Sequence, residues 1–563
     1  MEFHYKKNDN TKLFTNLENK ELTNIYKLQN YIPIYDRFFS LNTSNYNSIN
    51  LNNYNIINIF DKESENKYLG NVLDHSNNII NKKIFFKYSP LLDPAKYITG
   101  KYDISENMLL LPQYDKKYGY AKIRDPNNSA YVDGFFSYLT SQLFNNFNFV
   151  HGIDFYGSFI GIKKNFIYDI TDEIDFLYES DFFHENNNKL FKLEDNIHSH
   201  LLNKGTRKNK LLINITDDIY SDISNINIIS SDSQINDINA LFINESNKSA
   251  IENDGSNIIL CYEGKIDNTS DDDSINTCSS SSSYSEENFN ASESENDDES
   301  DDNSSILSDD TINININDFP INLITLERCH DTFDKLITDN KISDEELSSI
   351  IIQILMILIT YQKIFKFTHN DLHTNNIMYV LTDKKYLFYK YNNKKYKIPT
   401  FGKIFKIIDF GRAIYTFRKQ LIYSDSYHEK GDAATQYNFG PYLNSKKPLL
   451  EPNYSFDLCR LGCSMYDYFI DSFEEEKEIK SGIINIILKW CYDDKGRNIL
   501  YKSSGEERYP EFKLYKMIAR SVHNHVPSDV IKNNYFDKYV VSNKHIKKNK
   551  NKIFDIDGLS CEY

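Results

Sequence analysis

Residues 186–315 divide the chain into two parts that can fold, and this division limits every possible architecture. Asn, Asp, Ser and Glu dominate the segment, and its run SSSSSYSEENFNASESENDDESDDNSS has too little apolar surface to form a core. We therefore expect a long, acidic, disordered insertion. The folded protein must then be built from the residues on either side, with the insertion at a loop tip.

The negative charge of the chain is concentrated in this segment. Residues 265–312 contain fifteen Asp and Glu residues and one Lys, which accounts for −14 of the net charge of −17 on 563 residues. The remainder is nearly neutral, so the charge pattern indicates no clear nucleic-acid binding. Seven cysteines without a C-x-x-C pair predict neither a disulfide framework nor a zinc cluster.

Targeting signals are not visible in the sequence. The N-terminal run MEFHYKKNDNTKLF lacks the apolar core of a signal peptide. The longest apolar stretch, residues 350–361, is shorter than the roughly 18–20 residues that span a bilayer. We expect a cytoplasmic protein with no membrane partner.

Strand-like and helix-like patterns alternate in the folded parts. Short β-type runs separated by Asn-rich turns fill residues 54–88, and PINLITLER (320–328) reads as a buried strand. Apolar residues every four positions predict a helix over 131–143, and a capping box at 343–346 opens a second, strongly apolar helix. The first 50 residues read as a polar extension with a helix near 22–31.

Two polar segments carry the chemistry. FTHNDLHTNNIM (367–378) follows the apolar helix, and KIFKIIDFGRA (403–413) follows about thirty residues later. The Asp409 carboxylate and the Asn376 amide oxygen are hard ligands of the kind Mg²⁺ prefers, and Asp371 suits a group that accepts the proton of an attacking hydroxyl. The alternative is an Asx-rich turn, since Asn and Asp populate turns for local reasons.

These segments resemble the protein-kinase superfamily. His369-Asn-Asp371-Leu…Asn376 is similar to its catalytic loop and Asp409-Phe-Gly to its magnesium motif. Asp457 looks like the helical Asp that braces the loop, and Leu-Leu-Glu451-Pro like the motif that closes the activation segment. In composition and motif style the chain resembles Ser/Thr protein kinases encoded by giant DNA viruses of the mimivirus type.

The resemblance implies an ATP site in the N-terminal part. Lys87 would grip the phosphates with Asp133 as its helical partner, and backbone groups of Glu327 to Cys329 would meet the adenine. A lysine on an exposed strand and a surface carboxylate on a helix remain the alternatives for the first two. The expected glycine-rich loop is missing, and only Gly70 lies near.

Two further departures concern the catalytic loop. His373 stands where kinases acting on Ser/Thr carry Lys, and it could contact phosphate, contact substrate or form a structural hydrogen bond. Asn370 replaces the Arg that reads an activation-loop phosphate, so we expect no need for that phosphorylation. The resemblance also implies a buried pair between Glu451 and Arg497.

The expected architecture is an α+β, bilobal, kinase-like fold with a small antiparallel-sheet lobe and a mainly helical lobe. Its expected divisions are an extension (1–50), the first part of the small lobe (51–185), the insertion (186–315), the last small-lobe strand and hinge (316–330), the large lobe (331–541) and a basic tail (542–563). The expected function is ATP- and Mg²⁺-dependent phosphate transfer to Ser/Thr in a protein substrate. A small-molecule phosphotransferase and a pseudokinase scaffold are the alternatives.

Overall fold

The computed structural model describes most of the chain on both sides of the predicted insertion. The described residues are 5–7, 10–51, 55–74, 76–103, 106–115, 119–193, 311–339, 342–470, 473–542 and 553–561. The prediction of disorder for 194–310 therefore lies outside them.

A seven-stranded antiparallel sheet organises the N-terminal part, with strand order β2-β7-β9-β6-β5-β4 and β8 added to β9. In chain order the strands of this part are β1 (Tyr5–Lys7), β2 (Ile25–Gln29), β3 (Ile49–Leu51), β4 (Asn55–Lys62), β5 (Lys67–Leu73), β6 (Ile79–Pro90), β7 (Phe155–Asp169), β8 (Phe191–Leu193) and β9 (Asn313–Glu327). The strands predicted between 54 and 90 are confirmed as β4, β5 and β6.

The ends of the predicted insertion belong to this sheet. Strand β8 pairs antiparallel with β9, and Phe191 lies opposite Ile316 with both side chains fully buried. Apolar alternation in 312–316 supplies the buried face of β9, although an Asn separates each Ile from the next. The predicted insertion therefore begins eight residues too early, since 186–193 belong to the fold. It also ends five residues too late, since 311–315 belong to the fold as well.

The helix predicted near residues 22–31 is wrong, because this stretch forms β2 at the sheet edge. Ile25 and Leu28 are both buried, and their spacing of three imitates a helical period. The spacing arises from a β-bulge: the register with β7 shifts between Tyr26 and Gln29, and Lys27 has a φ of +56°. Residues 1–50 are thus not only an extension: they contain β1, a helix (Thr11–Leu17), β2 and the start of β3, and they contribute buried side chains.

Six helices of the N-terminal part are described. They are α1 (Thr11–Leu17), α2 (Pro94–Ile98), α3 (Ala121–Arg124), α4 (Ser129–Phe147), α5 (Ile174–Glu179) and α6 (Asp181–Asn186). The helix predicted over 131–143 is confirmed within α4, but it is buried on all sides and not on one face, since every residue from 130 to 143 is buried. The Asn128 side chain accepts a hydrogen bond from the Ala130 amide and caps this helix.

Helices predominate in the C-terminal part. They are α7 (Phe333–Asp339), α8 (Asp344–Phe365), α9 (Phe456–Met465), α10 (Phe473–Glu478), α11 (Gly482–Trp490), α12 (Phe512–Ser521) and α13 (Pro527–Val530). The capping box is confirmed in its main contact, because the Ser343 hydroxyl accepts from the Glu346 amide at 3.2 Å.

Helix α8 is long and apolar enough to cross a membrane by length and composition. However, 94% of its apolar window is buried inside the protein, which is the environment of a core helix. It is the one such helix among the residues that the structure describes.

Short strands surround the two polar segments. They are β10 (Asp331–Thr332), β11 (Ile377–Leu381), β12 (Tyr386–Tyr391), β13 (Lys394–Pro399), β14 (Lys403–Ile407), β15 (Tyr415–Phe417), β16 (Gln420–Ile422) and β17 (Ile553–Asp555). Strands β11 and β14 pair antiparallel, so the residues that precede β11 and follow β14 lie at the same end of the ladder.

The predicted basic tail, 542–563, contains a strand. Strand β17 pairs in parallel with β12, and the Phe554 ring packs 4.7 Å from that of Phe149, two residues beyond α4. The Lys363 ammonium on α8 donates to the main-chain oxygens of Ile556 and Asp557. Residues 553–561 therefore close part of the core.

We expect Phe554→Ala to lower the free energy of unfolding by about 3 kcal/mol, because it leaves a cavity against Phe149. Denaturant unfolding followed by circular dichroism measures this change. Phe147→Ala is the matched control, since Phe147 is 43% exposed. Equal effects of the two substitutions would show that 553–561 does not contribute to the core.

Candidate active site

Lys87 on β6 joins two carboxylates that come from different elements. Its Nζ lies 2.8 Å from Asp133 Oδ2 on α4 and 2.9 Å from Asp409 Oδ1, two residues after β14. The second oxygen of Asp133 accepts a hydrogen bond from the Phe410 amide at 2.9 Å. Three residues that the sequence separates widely therefore meet at one ammonium group.

The three charges determine one another's protonation. Burial lowers the pKa of Lys87, but Asp133 and Asp409 outweigh this effect and raise the pKa well above its ordinary value. Burial raises the pKa of Asp133, whereas at Asp409 the attraction of Lys87 outweighs burial and lowers the pKa. Lys87 is thus a cation and Asp409 an anion at neutral pH.

The backbone around Asp409 forms a left-handed turn that aims the carboxylate at Lys87. Asp409 has a φ of +61°, a region in which Asp is one of the more frequent non-glycine residues. Phe410 is fully buried and its ring packs 4.7 Å from that of Phe136 on α4. Packing of Phe410 therefore holds the turn against the helix that carries Asp133.

Asp457 of α9 holds the main chain of the loop 368–376. Its fully buried carboxylate accepts from the amides of His369 and Asn370, each at 2.9 Å. The predicted contact of Asp457 with this backbone is therefore present. His369 bonds through Nε2 to the main-chain oxygen of Ile408, which links the loop to the residue before Asp409.

Asn370 closes the loop without an arginine. Its Nδ2 donates to the main-chain oxygen of Arg412 at 3.1 Å, and its Oδ1 accepts from the Tyr437 hydroxyl at 2.7 Å. Its φ is +64°, which Asn adopts more readily than most residues. A neutral amide thus makes the connection between the loop and the chain beyond Asp409.

His373 orients Asn376. The Asn376 Nδ2 donates to His373 Nε2 at 3.1 Å and to the main-chain oxygen of Asp371 at 2.9 Å. Burial lowers the pKa of His373 to about 4, so the ring is neutral at pH 7 and carries its proton on Nδ1. Of the three roles considered for His373, the structure contains the structural hydrogen bond, and a neutral ring supplies no cation for a phosphate.

Asp371 is held by side chains from two other elements. Its Oδ1 accepts from the Tyr515 hydroxyl of α12 at 2.7 Å, and its Oδ2 lies 3.7 Å from Nη1 of Arg412. Burial raises the pKa of Asp371, but the charges of Arg412 and Arg460 and the hydrogen bond from Tyr515 outweigh burial and hold the pKa far below its ordinary value. Asp371 is therefore ionised and oriented at neutral pH.

Arg412 and Tyr515 are the site residues that sequence reasoning missed. Arg412 lies 2.9 Å from Asp432 and over the rings of Tyr515 and Phe512, at 5.5 and 5.9 Å from their centroids. Arg412 directly follows Asp409-Phe-Gly, so its position offered a signal. Tyr515 offered none, because α12 is remote in sequence and carries no motif.

The main-chain groups of the Glu327–Cys329 segment differ in how many of them already have hydrogen-bond partners among the described residues. The Glu327 amide donates to the Asp154 main-chain oxygen at 2.8 Å, and its carboxylate pairs with the buried Lys406 at 2.5 Å. No described residue forms a hydrogen bond with the main-chain N–H or C=O of Cys329. Within the segment proposed to meet adenine, Cys329 is thus the residue whose main-chain donor and acceptor both lack a partner among the described residues.

Gly70 lies away from this cluster, inside β5. A Cβ there would come within 2.9 Å of Ile59 Cδ1, the Asn58 main-chain oxygen and Ile84 Cδ1. Ile84 and Lys87 are three residues apart on β6 and point to opposite faces of the sheet. Close packing on the face remote from Lys87 therefore accounts for Gly70, and a phosphate-contacting role is not needed to explain it.

The expected pair between Glu451 and Arg497 is wrong. Arg497 bonds instead to Asp493, four residues earlier, with a 2.6 Å ion pair and a second contact through Nε. The amides of Lys495 and Arg497 also donate to the Asp493 carboxylate. The ion-pair partner of Arg497 is therefore a carboxylate in its own local turn and not the remote Glu451.

The neutral His373 predicts a pH-dependent stability. Its ordinary pKa of 6.5 falls to about 4 in the folded protein, so between these values the unfolded chain binds a proton that the folded chain does not. The free energy of unfolding therefore decreases as the pH falls through this window, with a contribution from His373 of about 1–2 kcal/mol between pH 7 and pH 5.

We expect His373→Gln to flatten this dependence, as measured by denaturant unfolding at pH 7 and pH 5. Part of the slope remains, because burial also lowers the pKa of His151, to about 3. His330→Gln, at an exposed position, is the control. An unchanged slope in His373→Gln would contradict the assignment of a neutral, hydrogen-bonded ring.

Two comparisons with known proteins identify no relative that shares this site. A scan against protein-family models finds no family whose model matches the chain. A search of curated proteins likewise finds no significant match. The case for a function therefore rests on the residues and contacts described above.

Proposed function

We propose that the chain is a protein kinase that transfers the γ-phosphate of ATP, with Mg²⁺, to Ser or Thr hydroxyls of a protein substrate. The observation that carries the proposal is the pairing of Lys87 with both Asp133 and Asp409. A phosphate-gripping lysine, its helical partner and a magnesium-binding carboxylate would be brought together in this way.

The architecture supports a bilobal kinase fold. A curled antiparallel sheet with one long helix, α4, forms the N-terminal part, and a mainly helical assembly around α8 forms the C-terminal part. Lys87 and Asp133 belong to the first part and Asp371, Asn376 and Asp409 to the second. ATP would bind where the two parts meet, with its adenine near Cys329.

Asp371 is the group proposed to receive the acceptor hydroxyl. The hydroxyl oxygen would attack the γ-phosphorus and form the new O–P bond, while the bond to the β–γ bridging oxygen breaks and ADP leaves. The hydroxyl proton passes to the Asp371 carboxylate. Because Arg412 and Tyr515 stabilise the ionised carboxylate, Asp371 orients the hydroxyl first and takes the proton late in the step.

Asn376 and Asp409 fit a magnesium ion. The Asn376 Nδ2 donates to the main-chain oxygen of Asp371 and to His373 Nε2. The Asn376 Oδ1 accepts no hydrogen bond from a described residue, so this oxygen is available to a metal ion. Asp409 is ionised, and its side chain is 33% exposed. Mg²⁺ is usually held by one or two protein oxygens together with substrate phosphates. This agrees with the finding that the described residues contain no cluster of three or more metal-binding His, Cys, Asp or Glu side chains.

Transfer of labelled phosphate tests the proposal. Wild-type protein is incubated with Mg·ATP labelled at the γ-position, alone and with a mixed protein substrate, and the labelled amino acids are identified. We expect label on Ser and Thr. Asp409→Ala should abolish it, and Asp371→Asn should reduce the rate by about 10²–10⁴-fold.

Asp537→Ala is the control, because Asp537 is half exposed and lies in the segment after α13. ATP hydrolysis without labelled protein would favour a small-molecule phosphotransferase and would contradict a protein substrate. If the protein neither binds nor turns over Mg·ATP, the pseudokinase scaffold is the remaining alternative. Label that persists in Asp409→Ala would contradict the proposed magnesium ligand.

A further inference from the structure

Asp425 connects the chain beyond Asp409 to the N-terminus of α4. Its Oδ1 accepts a hydrogen bond from the amide of Ser129, the first residue of α4, at 3.0 Å. Its Oδ2 lies 2.6 Å from Nζ of Lys122 on α3. Its own amide donates to the main-chain oxygen of Asn127 at 2.7 Å, so side chain and backbone both hold the start of the helix.

Burial raises the pKa of Asp425, while positive groups on two sides of its carboxylate favour the ionised form. The first amides of a helix have no partner within the helix and carry the positive end of its dipole, so a carboxylate there is stabilised. The Lys122 ammonium adds a full positive charge on the other side of Asp425. Asp425 is 8% exposed, so these contacts are largely shielded from water.

The contact reaches the candidate active site through one turn of helix. Asp133 lies four residues after Ser129 on α4, and it is the partner of Lys87 and of the Phe410 amide. Because a helix moves as a rigid unit over such a distance, the position of Ser129 determines that of Asp133. A displacement of the helix start would withdraw Asp133 from Lys87.

Asp432, seven residues after Asp425, supplies a second carboxylate that contacts the candidate site. Asp432 pairs with Arg412 at 2.9 Å, and Arg412 also faces Asp371. Near Asp425, the hydroxyl groups of Ser424, Ser426 and Tyr427 belong to buried residues. Two aspartates, rather than a modified hydroxyl, therefore supply the negative charges that tie residues 425–432 to the site.

We propose that Asp425 is a positioning residue for Lys87 and Asp133, and that its carboxylate does the work of a phosphate on this segment. This inference rests on the proposed function. Asp425 fixes the start of α4 through Ser129 and Lys122, so that the ATP-binding lysine is in place in the unmodified chain. The protein then needs no phosphorylation of this segment to be active.

Kinetic measurements on Asp425→Asn, Asp425→Glu and Lys122→Met test the inference. We expect Asp425→Asn to raise KM for ATP and to lower kcat/KM by about tenfold, because one charged hydrogen bond and one ion pair are lost. Asp425→Glu should restore most of the loss. The double variant Asp425→Asn/Lys122→Met should be no worse than the poorer single variant, since both substitutions break the same contact.

Asp529→Asn is the matched control, because Asp529 and Lys532 have the same 2.6 Å separation but are about 60% exposed. Phosphatase treatment of wild-type protein should leave the activity unchanged. Wild-type kinetics in Asp425→Asn, or loss of activity after phosphatase treatment, would overturn the inference.

Hydrogen exchange gives a readout that does not depend on activity. In Asp425→Asn, peptides covering residues 127–135 should exchange at least about tenfold faster than in wild type, because the acceptor of the Ser129 amide loses its charge and the ion pair with Lys122 is lost. Unchanged exchange would overturn the inference even in an inactive protein. If wild-type protein transfers no phosphate but exchange is faster in Asp425→Asn, the proposed function is rejected. The contact of Asp425 with the start of α4 is then still supported.

Discussion

The interaction on which the candidate site depends is the ammonium group of Lys87 between two carboxylates. Asp133 and Asp409 both lie within 3 Å of this nitrogen, and without the cation they would repel each other. The cation therefore fixes the distance between the sheet, helix α4 and the turn at Asp409. Removal of one member would leave an uncompensated charge in a mostly buried position, which is costly.

Backbone contacts hold the remaining groups around this centre. Asp457 fixes two amides of the 368–376 loop, and the Asn370 amide ties that loop to Arg412. His373 holds the Asn376 side chain by its Nδ2, and the Asn376 Oδ1 accepts no hydrogen bond from a described residue. Since these partners are buried and neutral or paired, the polar groups are oriented before any ligand binds, which reduces the reorganisation that a reaction requires.

Local patterns predicted the parts of the structure whose signals are short in range. The strands β4 to β6, the helix α4 and the cap of α8 follow from periodicity and from residues three or four positions apart. The acidic and amide residues of the two polar segments likewise marked these segments as candidate site residues. Lys87 and Asp133 could be named only through the resemblance, and their meeting was open until the structure placed them 2.8 Å apart.

The failures have physical reasons that a single sequence does not display. A bulge at Lys27 gave strand β2 the spacing of a helix, and a nearby Asp493 satisfied Arg497 before Glu451 could. Burial makes His373 neutral, and the contact with Asn376 is the structural hydrogen bond, one of the three roles that the sequence left open. Tyr515 reaches Asp371 from a helix 144 residues away, and such contacts arise only from tertiary packing.

Calorimetric titration with ATP, with and without Mg²⁺, tests the central claim most directly. The account predicts that wild-type protein binds ATP more tightly when Mg²⁺ is present, and that Asp409→Asn removes this dependence while the protein remains folded. Wild-type protein that binds no nucleotide, or that binds equally well without Mg²⁺, would contradict the claim that Lys87, Asp133 and Asp409 form a nucleotide and magnesium site.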